Sequence, residues 1–213
     1  MGHRFRVDQS VLIPRQDTET LVLEAAKTVQ NNSRQKLSLI ERLRGGKEWE
    51  LLDLCCGSGA VGISMAKICD NIQLTGTDIS GAAVAMAETN AKSLRVKAEF
   101  LVGDLFEPVK GRKFDMIVSN PPYICDSEAE QMEANVLDYE PGLALFVPDD
   151  DPLKFYVPIM NYAQSALRAG GQLWLETNPL YEEMIEERLL ELGFKVTAHD
   201  DQFGKTRFIQ AIR

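Results

Sequence analysis

Ser119-Asn120-Pro121-Pro122-Tyr123 closes the apolar run FDMIVS and collects groups suited to holding a planar NH2 group. The two prolines remove two backbone donors and fix two φ angles, so this stretch offers mainly carbonyl oxygens. Asn120 adds a side-chain acceptor, and Tyr123 adds a flat apolar face. A planar NH2 group donates two hydrogen bonds and presents a π face. Asn120 Oδ1 and the Pro121 carbonyl suit the two protons, and Tyr123 suits the plane. Amide and exocyclic amine nitrogens are poor nucleophiles because their lone pairs are delocalised. Acceptors on both N–H bonds push density back toward nitrogen and hold it for in-line displacement, with no metal and no prior general base. A rigid proline-rich turn would carry the same letters, so the motif needs context.

A second group of residues has the spacing of a cofactor site. Asp53 to Gly59 reads DLCCGSG, after an apolar strand-like run and before GAVGISMAKI. Gly57 and Gly59 let the backbone turn sharply and approach a ligand at a helix N-terminus. Asp78 follows about 20 residues on, where such folds bind ribose hydroxyls. Asp104 ends a further strand in GDLF, beside Leu105. Each acid alone also reads as a cap or turn residue. Together at successive strand tips they mark the ligand end of an open parallel sheet. Gly57, Gly59 and Gly62 satisfy G-x-G-x-x-G, so the glycines leave a nicotinamide dinucleotide and S-adenosylmethionine (SAM) both open. The decision falls to SNPPY, whose clamped nitrogen suits attack on a methyl sulfonium.

The elements that must position these residues alternate. WELLDLCC, NIQLTGTDI, AEFLVGDLF, KFDMIVSN and GGQLWLET read as strands separated by helical patterns. One helix places Val84, Ala87, Ala91 and Leu94 on a single face. Residues 152–168 read as a helix that Pro158 kinks or delays. Asn178 and Pro179 suit the cap and first position of another helix, ended by Gly193. GFKVTAHD and TRFIQAIR have no helix between them, so they form an antiparallel hairpin turning near Gly204. Residues 31–48 read as a helix tail and a loop. Strand–helix alternation predicts an α/β, mostly parallel sheet covered on both faces. This order resembles the seven-stranded Rossmann-like fold of class I SAM-dependent methyltransferases, with the C-terminal antiparallel hairpin at one edge.

Composition limits the alternatives. The 213 residues are 45% hydrophobic and 26% charged, the balance of one globular domain rather than a disordered chain. No apolar run approaches the ~18–20 residues of a membrane span. MGHRFRV has no apolar signal core, which predicts a cytoplasmic protein. Four cysteines without CxxC spacing and two histidines predict neither a disulfide framework nor a metal site. The net charge of −9 argues against extended nucleic-acid binding, which draws much of its affinity from neutralising phosphates.

Upstream, Leu12-Ile13-Pro14-Arg15-Gln16-Asp17-Thr18-Glu19 resembles a segment of the release factor glutamine methyltransferases, that is, protein-(glutamine-N5) methyltransferases. The resemblance continues through DLCCGSGAVGISMA, TDISGAAVAMAETNA, GDLFEPV, FDMIVSNPPYI, YEPGLALF and GGQLWLE, in order, over essentially the whole chain. Asn-Pro-Pro-Tyr alone is shared with adenine-N6 and guanine-N2 nucleic-acid methyltransferases; joined to IPRQDTE and YEPGLALF it points to glutamine. The resemblance implies methyl transfer from SAM to the glutamine amide of the GGQ motif in peptide-chain release factors. It implies that Cys55, Cys56, Gly57, Ser58 and Gly59 border the SAM methionine part. Asp78 with Ile79 would hold the ribose, and Asp104 with Leu105 would lie at the adenine. Asn120, Pro121, Pro122 and Tyr123 would bind the glutamine, Asn120 also meeting the cofactor. Residues 1–48 would form an N-terminal segment and helix covering the cofactor, with Thr18 and Glu19 on it, and 49–213 the catalytic domain. Glu140, in YEP, belongs either to the substrate cleft or to the framework.

Three departures from the family pattern stand out. The helical domain that family members carry before IPRQDTE, implicated in release factor docking, is not in this sequence, so a catalytic-domain piece is expected. Cys55 replaces a glycine and would strain the loop if φ is positive there. FVPDDD replaces a glycine-rich continuation. The competing functions are a nucleic-acid amino methyltransferase and a non-catalytic SAM-binding domain.

Overall fold

The computed structural model describes residues 2–35, 47–131, 140–201 and 203–213. In chain order its elements are α1 (Gln16–Gln35), β1 (Trp49–Leu54), α2 (Ala60–Ile68), β2 (Ile72–Asp78), α3 (Gly81–Leu94), β3 (Ala98–Val102) and β4 (Phe114–Ser119). There follow β5 (Ile124–Cys125), β6 (Phe146–Val147), α4 (Tyr156–Ala166), β7 (Leu167–Glu176), α5 (Glu182–Glu191), β8 (Lys195–Asp200) and β9 (Thr206–Ile212). Most of the loop expected before β1 lies outside the described residues; the helix preceding it runs to Gln35.

Seven strands form one sheet in the order β3-β2-β1-β4-β7-β9-β8. The first five are parallel, and β9 runs antiparallel to both β7 and β8. The expected hairpin at one edge is therefore present. All six residues of β4 are buried, as a central strand covered on both faces requires. The period of two divides the core cleanly. Leu51, Met116, Val118 and Trp174 face α1, α2 and α3, whereas Leu52, Ile117, Leu173 and Leu175 face α4 and α5. The predicted face of α3 is inward: Val84, Ala87 and Ala91 are buried, and Leu94 packs against them.

Two boundaries move. α4 starts at Tyr156, with Pro158 in its first turn, where backbone N–H groups have no intrahelical partner to lose. Strand β7 starts at Leu167, three residues early, because Leu167 pairs with Phe114 before an irregularity restores the register at Met116–Gln172. Asn178 accepts from the Leu180 N–H at 3.0 Å, as a cap should, but caps a short 3₁₀ turn that runs into α5. Two features had no sequence signal. Strands β5 and β6 are two residues each and pair with one another, drawing YEPGLALF beside the NPPY turn. Asp149 of FVPDDD secures this annex, accepting from the Ser127 N–H (3.0 Å) and hydroxyl (2.7 Å).

Candidate active site

The chain leaves β1 toward β2 and β3, then crosses back to β4 on the other side. This switch of direction opens a crevice at the carboxyl ends of β1 and β4, where open α/β sheets bind ligands. Leu54 pairs with Ser119, so Cys55 and Asn120 leave the sheet side by side. The glycine loop and the NPPY turn, 65 residues apart by the Leu54–Ser119 hydrogen bond across them, thus meet at one point.

Backbone bonds shape the loop. Cys56 N donates to the Thr77 carbonyl (3.0 Å), and Gly59 N to the Cys56 carbonyl (2.7 Å). Gly57 and Gly59 have φ of 51° and 75°, as a turn into α2 requires. Cys55 has φ 58°, so the expected strain is present; for a residue bearing Cβ the left-handed region costs about 1–2 kcal/mol. Leu105 is also left-handed, at φ 43°, and its carbonyl accepts from the Thr77 hydroxyl (2.7 Å). Asp78 accepts from the Gly57 N–H through Oδ2 and the Ser80 N–H through Oδ1, both at 2.9 Å. The buried Asn90, which the sequence did not single out, donates to the Ser58 carbonyl (2.9 Å) and the Arg6 carbonyl (3.0 Å). It thereby ties the N-terminal segment to the glycine loop.

Asp53, Cys55, Cys56, Gly57, Ser58, Asp78, Ile79, Asp104, Leu105, Asn120 and Pro122 line a single cavity of about 430 Å³. Gly59, Pro121 and Tyr123 lie outside its lining: Gly59 at the start of α2, Pro121 buried, and Tyr123 half-buried against the second core. Leu12 and, from IPRQDTE, Pro14 and Thr18 also line it, as do Leu143, Lys154 and Phe155. None of those last three was anticipated, because only the β5–β6 annex brings them there. Glu140 has one framework contact, while its buried Oε2 has no hydrogen-bond partner among the described residues. Its buried side chain pairs with Arg15 at 2.7 Å, joining the IPRQDTE and YEPGLALF segments, and it stands outside the cavity lining.

Glu176, the last residue of GGQLWLE, is buried at the end of β7, and the motif gave it no role of its own. Tyr123 donates its hydroxyl to Oε1 (3.1 Å) and Thr18 donates to Oε2 (2.8 Å). The Tyr123 carbonyl accepts from Asn178 Nδ2 at 3.1 Å.

Burial governs the titratable groups. It pushes the Cys55 and Cys56 thiols up, with Asp53 and Asp78 adding to the shift, so both stay protonated and neither is a thiolate nucleophile. It also raises Glu176 and the Tyr123 hydroxyl. Asp53 is pushed up to about 7 by burial, partly offset by the Gly62 N–H at 2.9 Å. Its folded value lies above its unfolded value near 3.8, so between these the native state holds the extra proton. Its contribution to stability is full below pH ~3.8 and is lost as pH rises through ~7. Asp53→Asn should therefore gain melting temperature relative to the parent between pH 5 and pH 8. A difference independent of pH in calorimetry would refute this.

Residues 26–137 match the methyltransferase small domain family. A methyltransferase from Pyrococcus furiosus superposes with TM-score 0.68 at 18% identity, covering 99% of this chain and 89% of that one. With its glycine loop and NPPY turn facing one crevice, the chain is a Rossmann-like methyltransferase. Release factor glutamine methyltransferases from Bacteroides thetaiotaomicron and Flavobacterium psychrophilum are 40% and 36% identical to it, covering 100% and 98% of this chain and 72% and 70% of theirs. The chain belongs to the release factor glutamine methyltransferase family. A protein-(glutamine-N5) methyltransferase (release factor-specific) from Alicyclobacillus acidocaldarius matches with TM-score 0.55 and 25% identity, over 98% of this chain and 99% of that one.

Proposed function

We propose that this protein transfers a methyl group from SAM to the side-chain nitrogen of the GGQ glutamine in a peptide-chain release factor, in the cytoplasm. The observation that carries this reading is the cavity walled at once by the glycine loop, by Asp78 and by Asn120 and Pro122 of NPPY. Its volume falls within the ~300–1,000 Å³ typical of small-molecule sites. Its lining fits the cofactor: the carboxylates Asp78 and Asp104, the glycine loop, the apolar Ile79 and Leu105, and Asn120 and Pro122 of the acceptor turn.

In this reading residues 55–59 border the methionine part. Asp78 with Ile79 takes the ribose hydroxyls, and Asp104 with Leu105 the adenine. Residues 1–48 cover the cofactor and 49–213 form the catalytic domain, a division supported by Leu12, Pro14 and Thr18 in the cavity wall. Bound SAM supplies an electrophilic methyl group on a positive sulfur. The chain's own work is on the acceptor. Asn120 Oδ1, in the cavity lining, accepts one amide proton and the Pro121 carbonyl, outside that lining, the other, raising electron density on nitrogen and fixing its direction of attack. Tyr123 bounds the amide plane. The proton that nitrogen releases goes to solvent after transfer, so no side chain must act as a base beforehand.

The test is incorporation of labelled methyl into a release factor, intact against GGQ→GGA. Labelling of the intact factor alone is expected; equal labelling of both would remove the glutamine assignment.

A further inference from the structure

Glu176 is a carboxylate buried at the carboxyl end of β7, and both of its oxygens are occupied by hydroxyls from distant segments. Among the described residues it forms no ion pair. Burial penalises its charged form; the Thr18 and Tyr123 hydroxyls offset this first and the nearby Arg207 charge after them, without a direct ion pair. What a carboxylate does offer is two acceptor oxygens a fixed distance apart.

The two hydroxyls belong to two motifs that both reach the cavity, IPRQDTE through Pro14 and Thr18 and NPPY through Asn120 and Pro122. Thr18, on the IPRQDTE segment, is part of the cavity wall. Tyr123 is the last residue of NPPY, and its other end is also fixed, because its carbonyl accepts from Asn178 two residues beyond Glu176. The end of β7 therefore brackets Tyr123 at ring and backbone. If the IPRQDTE segment moved away from the cavity, Thr18 would leave Oε2 and the carboxylate would lose one of the two contacts that orient it toward Tyr123.

We propose that Glu176 is a positioning residue that couples the seating of the IPRQDTE segment over the cofactor cavity to the setting of Tyr123 in the acceptor clamp. The proposal rests on the glutamine methyl-transfer reading above. It makes the covering segment a participant in acceptor alignment: the clamp is set only when the cover is down. Glu176 stands outside the cavity lining and acts through Tyr123 and Thr18.

Glu176→Gln separates this role from a packing role, since it conserves shape but has one acceptor oxygen for two hydroxyls. Its melting temperature and calorimetric SAM affinity should stay close to the parent's (within about threefold for affinity), while kcat on the release factor falls ~10-fold or more through misalignment. Thr18→Val and Tyr123→Phe should each lower kcat, and together lower it by less than the product of the two effects, because they interrupt one chain of contacts. Multiplicative losses in the double variant, or a Glu176→Gln defect confined to SAM affinity or melting temperature, would overturn the proposal. Amide hydrogen exchange gives a reading independent of the acceptor. Tyr123→Phe should speed exchange across residues 10–19, on the far side of Glu176; unchanged exchange there also overturns the coupling. If the parent protein methylates no release factor, the functional reading falls, and the exchange experiment still decides the coupling.

Discussion

Asn120→Ala should lower turnover ~10²-fold or more while leaving SAM affinity within about threefold of the parent. The asymmetry follows from where Asn120 stands. It leaves the sheet at the end of β4, beside the glycine loop, and lines the cavity as one residue among many. In the proposed reading cofactor affinity is spread over the loop, Asp78 and the apolar lining, so losing one side chain there should cost little. The acceptor amide has only two protons to be held, and in the same reading Asn120 Oδ1 takes one of them. Without it the nitrogen lone pair stays delocalised and the amide can rotate out of line, both of which raise the barrier to transfer. Turnover and SAM affinity measured on the same preparation check this directly. Near-normal turnover would mean that Asn120 is not the amide acceptor, and a parallel collapse of SAM affinity would assign it to the cofactor.

Gly62→Ala should destabilise the protein by about 1–3 kcal/mol, a fall of ~3–10 °C in melting temperature for a chain of this size, and should weaken SAM binding several-fold. A Cβ at Gly62 would lie 2.5 Å from Leu74 Cδ1 and 2.9 Å from Asp53 Oδ2. The leucine methyl can shift, but Asp53 cannot do so without losing its bond from the Gly62 N–H. Asp53 is buried and lines the cavity, so displacing it leaves a polar group unsatisfied and alters the cofactor wall together. The third glycine of the fingerprint is thus needed for helix–strand packing, a different reason from that of Gly57 and Gly59. A melting temperature within a degree of the parent's would show that Asp53 and Leu74 yield freely.

Cys55 illustrates how a departure from a family pattern can be read physically. The backbone at this position is left-handed, the conformation a glycine would adopt without strain. The cysteine is tolerated at a cost in strain, and burial keeps its thiol protonated beside the cavity.

Much of the fold was legible from periodicity. The strand runs, the inward face of α3, the C-terminal hairpin and the cap at Asn178 are local properties, set by side-chain alternation, helical spacing and backbone donors. The ends of α4 and β7 were less legible, because a proline in a first helical turn costs nothing and because β7 is extended by pairing with Phe114. Strands β5 and β6 left no trace, two residues being too few for a pattern.

The sequence by itself determined the residue types at the strand tips: glycines that permit a tight loop, carboxylates at Asp78 and Asp104, and an Asn-Pro-Pro-Tyr turn rich in acceptors. These follow from composition and spacing alone. Only the tertiary structure decided which of them face each other. The reversal of strand order between β1 and β4 sets Cys55 beside Asn120, the β5–β6 annex swings Leu143 and Phe155 to the cavity, and the end of β7 places Glu176 between Thr18 and Tyr123. These are contacts between segments far apart in the chain. They depend on how whole elements cross the sheet, which no local pattern of residues encodes.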